Sequence, residues 1–452
     1  MNWTNDQLTA LAALDSGGNV FLSGQAGTGK STVINHWLNQ NPEVVRLAST
    51  CIAAVQINGR TLHSFFGIGA PKNKRHALTN YYKKEKHVRE RFDGIKGIVI
   101  DEISMVGGET FAALEEVARH ATGSPRPWGG LQVITVGDFY QLKPIEDDWS
   151  FLTDTWEQSR FQPVILSEIM RTTDEDFIYV LNEIREGAIS DYTEEYLNER
   201  LVKDHKGITA VRLFARNKMV DDYNEQELAK LSGRTIEFRT KTATFSPSCI
   251  SYDGGYITKC FKADPDRYRD EHSIPASLFC EDPCGACTYK YDPSSFQYNY
   301  LSSLPIPAVL KLKIGAQVMV RKNHPDGQYI NGTVGRVVDV TEDCVTIVNE
   351  KGEIPITSHT FEVRNGDAKV VFTGSNFPLA LAWASSIHKS QGRSIDSIVT
   401  DLRGLWDPGQ AYVALSRAKS GAGVHLLGWD LPSIKVDKRV RDFYLTSKGS
   451  CV

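Results

Sequence analysis

The chain has 452 residues, 41% of them hydrophobic, and a formal net charge of -4. These values suit about three ordinary globular domains and exclude a disordered or collagen-like chain, and the charge total makes no case for nucleic acid, which has to be argued from local charge. Met1 to Gln7 lack a basic start followed by an apolar run, no stretch approaches the ~20 apolar residues of a membrane span, and eight mostly scattered cysteines are too few for a disulfide framework, so a soluble cytoplasmic protein is expected.

Val20-Phe21-Leu22 reads as a strand, and a helical pattern starts near Lys30. Between them Gly24-Gln25-Ala26-Gly27-Thr28-Gly29-Lys30-Ser31 matches the full P-loop pattern in the context that pattern requires. Its glycines let backbone N–H groups turn toward phosphate oxygens, and the helix start adds a positive end. Lys30 is expected to reach the β- and γ-phosphates of ATP and Ser31 to ligate Mg²⁺, with the remaining loop residues and Thr32 lining the nucleotide.

Residues 72–91 hold eight Lys or Arg against Glu85 and Glu90, with Tyr81 and Tyr82 in the middle. A charge run of this kind is commonly a solvated face, but interleaved tyrosines also suit contact with nucleic acid. Ile98-Val99-Ile100 reads as a second strand, ending in Asp101 and Glu102. Asp101 is expected to hold the Mg²⁺ shell and Glu102 to orient the attacking water, a pair that favours hydrolysis over phosphate transfer to a metabolite. Val133 to Val136 reads as a third strand, leading to Gly137-Asp138-Phe139-Tyr140-Gln141, where Gln141 is a candidate for the γ-phosphate or the water. Arg171 and Arg417 are candidates for transition-state charge. Arg417, in a separate α/β region, fits an arginine finger better.

A second α/β stretch begins near Val211 and is broken at 245–308, a segment rich in Asp, Pro, Tyr and Cys. There Cys280, Cys284 and Cys287, with Cys260 as a fourth ligand and Cys249 or His272 as substitutes, form a candidate zinc site, an iron–sulfur cluster or free thiols being the alternatives. Short alternating strands over 332–372 suggest a small β-barrel, and the α/β pattern resumes from Leu379 to about Gly428.

The ordered set of segments resembles superfamily 1 DNA helicases, within the 5′-to-3′ branch of Pif, RecD and Dda helicases, and is most similar to the Pif type. The resemblance is carried by Gln7 in Trp3-Thr-Asn-Asp-Gln7, by Leu47-Ala-Ser-Thr-Cys-Ile-Ala-Ala54 with Thr61-Leu-His-Ser-Phe-Phe-Gly67, and by the segments around Asp101 and Asp138. It continues through Leu213 to Asn224, Gly315 to Asn323, Asn331 to Gly335, Ser386-Ile-His-Lys-Ser-Gln-Gly392 and Tyr412-Val-Ala-Leu-Ser-Arg-Ala418. One departure is Ala48-Ser-Thr-Cys51, where Ala-Pro-Thr-Gly is more usual.

The resemblance implies an α/β chain of two RecA-like P-loop motor domains with ATP between them and single-stranded DNA across both. The implied boundaries are motor domain 1 at 1–175 with a wedge at about 69–93, a linker and the start of motor domain 2 at 176–244, the cysteine insertion at 245–308, an SH3-like barrel at 309–375 and the rest of motor domain 2 at 376–452. It implies that Gln7 reads adenine, that Gly392 lies at the nucleotide, and that Thr50, His63, Phe65, Asn331, His388 and Lys389 face DNA, with Tyr81 and Tyr82 on the wedge. Phe65 and Phe66 also carry a core reading, since adjacent aromatics usually bury at least one ring. The function expected is an ATP-dependent 5′-to-3′ DNA helicase on single-stranded and forked DNA. It is expected to work as a monomeric motor in a bacterial or phage-infected cell, with replication or single-strand-binding proteins as candidate partners. The alternatives are an RNA- or recombination-directed translocase with the same motor, and a DNA-binding adaptor with weak ATPase.

Overall fold

A computed structural model describes residues 3–449 except 50–53, 55, 56, 58, 70, 72, 145, 146, 171, 204–207, 209, 245–299, 302, 303, 323, 325–327, 330, 351 and 365–369. The first half is built on a six-stranded sheet of β1 (Val20–Gly24), β2 (Val44–Ala48), β3 (Arg60–Thr61), β4 (Gly97–Asp101), β5 (Gln132–Gly137) and β6 (Gln162–Leu166). Its order is β3-β2-β4-β5-β1-β6 and every pairing is parallel. All five residues of β1 are buried, as expected of a parallel strand covered on both faces. Because the strands run the same way, Gly24, Asp101 and Gly137 end on one edge, with β1 next to β5.

The second half opens with β7 (Val211–Phe214). Strands β8 (Ile236–Arg239), β9 (Lys241–Thr244), β10 (Val309–Leu312) and β11 (Gln317–Val320) follow. Next come β12 (Val334–Val340), β13 (Cys344–Asn349), β14 (Gly352–Thr357), β15 (His359–Arg364), β16 (Val370–Asn376) and β17 (Leu379–Leu381). These ten strands form three antiparallel sheets, the largest ordered β14-β13-β12-β11-β17 around a core that includes Val318, Val337, Ile347 and Ile356. Finally β18 (Ala384–Ser386), β19 (Ile398–Asp401) and β20 (Val424–Gly428) join β7 in a parallel sheet ordered β18-β7-β19-β20.

The last helix, Lys438–Gly449, leaves this second sheet and returns to the first half. Phe443 meets the rings of Phe151 at 4.4 Å, Phe139 at 5.6 Å and Phe21 at 5.8 Å. Trp149 Nε1 donates to Asp437 Oδ2 at 2.9 Å, and Arg439 pairs with Asp148 at 2.6 Å. The chain therefore crosses from the first unit to the second and back, and one hydrophobic core runs through both.

The basic segment folds as two helices, Lys74–Tyr82, capped by the Asn73 side chain, and Glu85–Glu90. Their apolar residues Ala77, Tyr81 and Val88 join the main core, and Lys74 pairs with Glu116 at 2.8 Å on the helix Gly108–Thr122. No described helix is long and apolar enough to cross a membrane.

Candidate active site

The loop between β1 and the helix Lys30–Gln40 turns through positive φ at Gly24, Gly27 and Gly29. A Cβ on Gly24 would sit 2.6 Å from the Leu166 carbonyl, so that position needs glycine for space as well as conformation; Gly29, with φ 85°, needs it for conformation, and the Gln7 side-chain amide packs where its Cβ would be. Gln7 is held there by a capping box with Thr4, and its Nε2 donates to the Thr28 carbonyl at 3.3 Å. Lys30 Nζ donates to the carbonyls of Gly24 at 2.7 Å and Gln25 at 2.9 Å, which closes the loop around its own lysine. Gln25 reaches Asn182, and Ser31 and Thr32 lie exposed at the mouth.

Asp101 and Ser31 line the same small cavity beside this loop. Glu102 adopts φ 53° and ψ 50°, a left-handed conformation rare outside glycine, and its N–H donates to Asp101 Oδ1 at 2.9 Å. Burial raises the pKa of both carboxyls. For Asp101 the neighbouring Glu102 charge adds to the rise; for Glu102 the charges of Lys30 and Arg417 oppose it. Burial likewise lowers the Lys30 ammonium, against the pull of Asp138 and Glu102.

The second unit enters through Gln391. Its Nε2 donates to Gln141 Oε1 at 3.0 Å and to Glu102 Oε2 at 3.4 Å, joining two first-unit residues 250 and 289 positions away. Gly392, with φ 74°, brings the backbone close, and a Cβ there would lie 3.6 Å from Glu102 Oε1. Arg417 is 1% exposed. It donates to the carbonyls of Val413 at 2.9 Å, Arg393 at 3.3 Å and Ser390 at 3.4 Å. Its guanidinium is thus braced inside the second unit, within electrostatic reach of Glu102.

A buried polar cluster under the loop was not visible in the sequence. Asp138 receives Arg185 Nη2 at 2.9 Å and Nε at 3.1 Å, and the hydroxyls of Tyr412 and Tyr444, each at 3.3 Å. The Tyr412 hydroxyl also accepts the P-loop N–H of Ala26 at 3.2 Å, and Tyr444 lies 2.6 Å from Ser23 Oγ on β1. Four segments, including the helix Glu175–Glu186 that carries Arg185 and the final helix that carries Tyr444, thus meet on one carboxylate. Arg185→Ala strips a buried charge of its partner and is expected to destabilise the protein by ~3–5 kcal/mol in chemical denaturation. A loss under ~1 kcal/mol would mean water replaces the guanidinium.

Two residues that the resemblance implies at DNA are in the core, Phe65 in agreement with its alternative core reading and Tyr81 against expectation. Phe65 is 0% exposed, in a four-residue helix that turns its ring onto Phe66 at 5.3 Å and Phe92 at 5.1 Å. Tyr81 is 0% exposed, and burial pushes its hydroxyl up to about 12. Both rings are large enough that covering them outweighs a surface role. Phe65→Ala should therefore cost ~3–5 kcal/mol of stability and leave DNA affinity intact at temperatures where the protein stays folded, read by denaturation and by oligonucleotide titration.

Tyr82 is 48% exposed and its hydroxyl lies 3.2 Å from His120 Nε2. His63, His388 and Asn331 are half-buried and Lys389 is exposed. Thr50, Arg171, the cysteines at 249, 260, 280, 284 and 287, and His272 lie outside the described residues. Among the described residues no group of three or more His, Cys, Asp or Glu is arranged to hold a metal.

A family model described as PIF1-like helicase matches residues 4–195. The chain is 37% identical over 451 residues to the ATP-dependent DNA helicase Pif1 of Bdellovibrio bacteriovorus, covering 98% of this chain and 92% of that protein. It spans 61% and 64% of the length of the Emericella nidulans and Xenopus laevis relatives it matches. The crystal structure of the Candida albicans Pif1 helicase aligns with a TM-score of 0.70 at 29% identity, over 99% of each chain. A Bacteroides Pif1 bound to single-stranded DNA aligns with a TM-score of 0.64 at 25% identity, over 100% of this chain and 98% of that one.

Proposed function

The chain belongs to the PIF1-like helicase family, and on that premise we propose that it hydrolyses ATP to move 5′ to 3′ along single-stranded DNA and to separate the duplex ahead of it. The observation that carries the reading is Gln391 spanning Glu102 and Gln141. A hydrolytic site whose water-orienting groups are tied to a second unit works only when the two units approach, so chemistry and domain movement are linked.

In this reading Lys30 and the loop amides hold the phosphates, and Ser31 with Asp101 offers the oxygen ligands that magnesium takes. Mg²⁺ bound there would neutralise phosphate charge. Glu102, held in its strained turn by Asp101 and Gln391, positions the attacking water, and Gln141 senses the same site. Arg417 supplies positive charge from the second unit as the cleft closes. Gln7 beside Gly29 is in place to meet the base of the nucleotide. On the second unit, His388 and Lys389 follow β18 and form part of the DNA track. Alternate gripping by the two units moves the protein along the strand.

The test is unwinding of duplexes with either a 5′ or a 3′ single-stranded tail, with and without ATP. Unwinding confined to the 5′ tail and to ATP supports the reading; equal use of both tails refutes the direction, and matched RNA duplexes separate the RNA alternative. The basic helices are proposed as the wedge, with Tyr82 and not Tyr81 as the ring at the junction. Tyr82→Ala is expected to slow strand separation several-fold while DNA-stimulated ATPase stays near normal, since stacking of one base contributes ~1–3 kcal/mol. Unchanged unwinding by that variant removes the wedge assignment.

A further inference from the structure

Three adjacent strands of the second sheet, β18, β7 and β19, deliver three segments to one edge. After β18 comes the helix Ile387–Ser390 with His388 and Lys389; after β7 come Arg216 and the helix Asn217–Lys230; after β19 comes the loop that carries Trp406. Trp406 is 44% exposed, the one exposed member of the eight tryptophans, all of which are described. The guanidinium of Arg216 lies 5.2 Å from its ring centroid, a cation–π distance.

The loop is not slack beneath the ring. The N–H groups of Trp406 and Asp407 both donate to the side-chain oxygen of Gln410, at 3.1 and 3.3 Å, and Gln410 is fully buried. Lys435 Nζ donates to the carbonyls of Leu405 at 3.2 Å and Trp406 at 3.4 Å. A large ring on a braced loop, half in solvent and flanked by Arg216, is costly to leave uncovered and needs little further ordering to bind a flat partner. No side chain caps the start of the helix Asn217–Lys230, which leaves its first amides directed at the same edge.

We infer that Trp406, steadied by Arg216, is a stacking platform for one base of the single-stranded DNA that crosses the second unit. The inference rests on the DNA-translocase reading and adds a base contact to it. Stacking uses the π-face common to all bases, so the site is blind to sequence, as a translocating motor requires. It is also non-ionic, so it adds affinity without adding to the salt dependence that phosphate contacts carry.

The experiment uses the full chain and labelled oligothymidylate, read by anisotropy. Trp406→Ala is expected to bind about ten-fold more weakly, with an unchanged slope against salt, whereas Trp406→Phe stays within about three-fold of wild type because a ring remains. Intrinsic tryptophan emission of the wild type should fall as unlabelled oligothymidylate binds, and that change should be lost in Trp406→Phe. An oligonucleotide with abasic sites should erase the difference between wild type and Trp406→Ala, which a merely structural role for the ring would not do. Equal affinity of wild type and Trp406→Ala for oligothymidylate, with wild type binding normally, overturns the platform alone. Absence of binding by the wild type overturns the translocase reading and the platform with it.

Discussion

Glu102→Gln is expected to lower DNA-stimulated ATP hydrolysis by about 10³-fold, within the range seen when a positioned acid–base group is lost, while ATP still binds. Glu102 contacts both units, through Asp101 on one side and Gln391 on the other. Its φ of 53° is paid in backbone strain and persists because Gln391 and the backbone of Gly392 close over it. Glutamine keeps the shape and the hydrogen-bonding reach but cannot accept a proton from water. The variant should bind a fluorescent ATP analogue as wild type does, and bind single-stranded DNA at least as tightly in the presence of ATP, because the closed state can no longer be left by hydrolysis. Unwinding should vanish. Hydrolysis within ten-fold of wild type would show that another group orients the water.

Lys30→Ala is the second large effect, and its pattern should differ. Lys30 Nζ ties the Gly24 and Gln25 carbonyls together and lies near Asp138, Glu102 and Asp101. Removing it takes away the one positive side chain inside the loop and leaves two carbonyls to be satisfied by water. Hydrolysis should fall by ~10²–10³-fold, as when a single preorganised charge-stabilising donor is removed. Unlike Glu102→Gln, this variant should lose nucleotide affinity as well as turnover, and its DNA affinity should no longer respond to ATP. A Lys30→Ala protein that unwinds at the normal rate would refute the assignment of the loop to the motor. The two variants together separate a site that cannot bind from a site that binds and cannot turn over.

The buried cluster on Asp138 ties the loop to distant parts of the chain. The Tyr412 hydroxyl occupies the Ala26 amide, one of the loop N–H groups expected to face phosphate, and passes its own proton toward Asp138. The helix that holds Tyr444 is anchored on the first unit by Phe443 against Phe151 and, just before its start, by Asp437 accepting from Trp149. Hydrogen bonds on one carboxylate therefore join the loop to the second unit and to the last helix directly.

The strands at Val20, Ile98 and Val133, the P-loop and the Asp101-Glu102 pair were readable from the amino-acid sequence by itself. Each is decided within one strand and one turn: an apolar run buried on both faces, then glycines that permit positive φ, then a polar residue at a parallel-strand end. The placement of Gln391, Tyr412, Arg185 and Tyr444 was decided only in three dimensions. Gln391 and Tyr412 lie in segments that carry the family resemblance and Arg185 and Tyr444 do not, but each acquires its contacts from a partner 47 to 421 positions away, which its own segment does not reveal. The same reason moved Phe65 and Tyr81 from the expected DNA surface into the core. Local pattern sets the helices Leu62–Phe65 and Lys74–Tyr82, but which side of a short helix is covered depends on what packs over it, here Phe92 and the helix Gly108–Thr122. Covering an aromatic ring is favourable wherever the fold makes it available, and spacing along the chain carries no record of that.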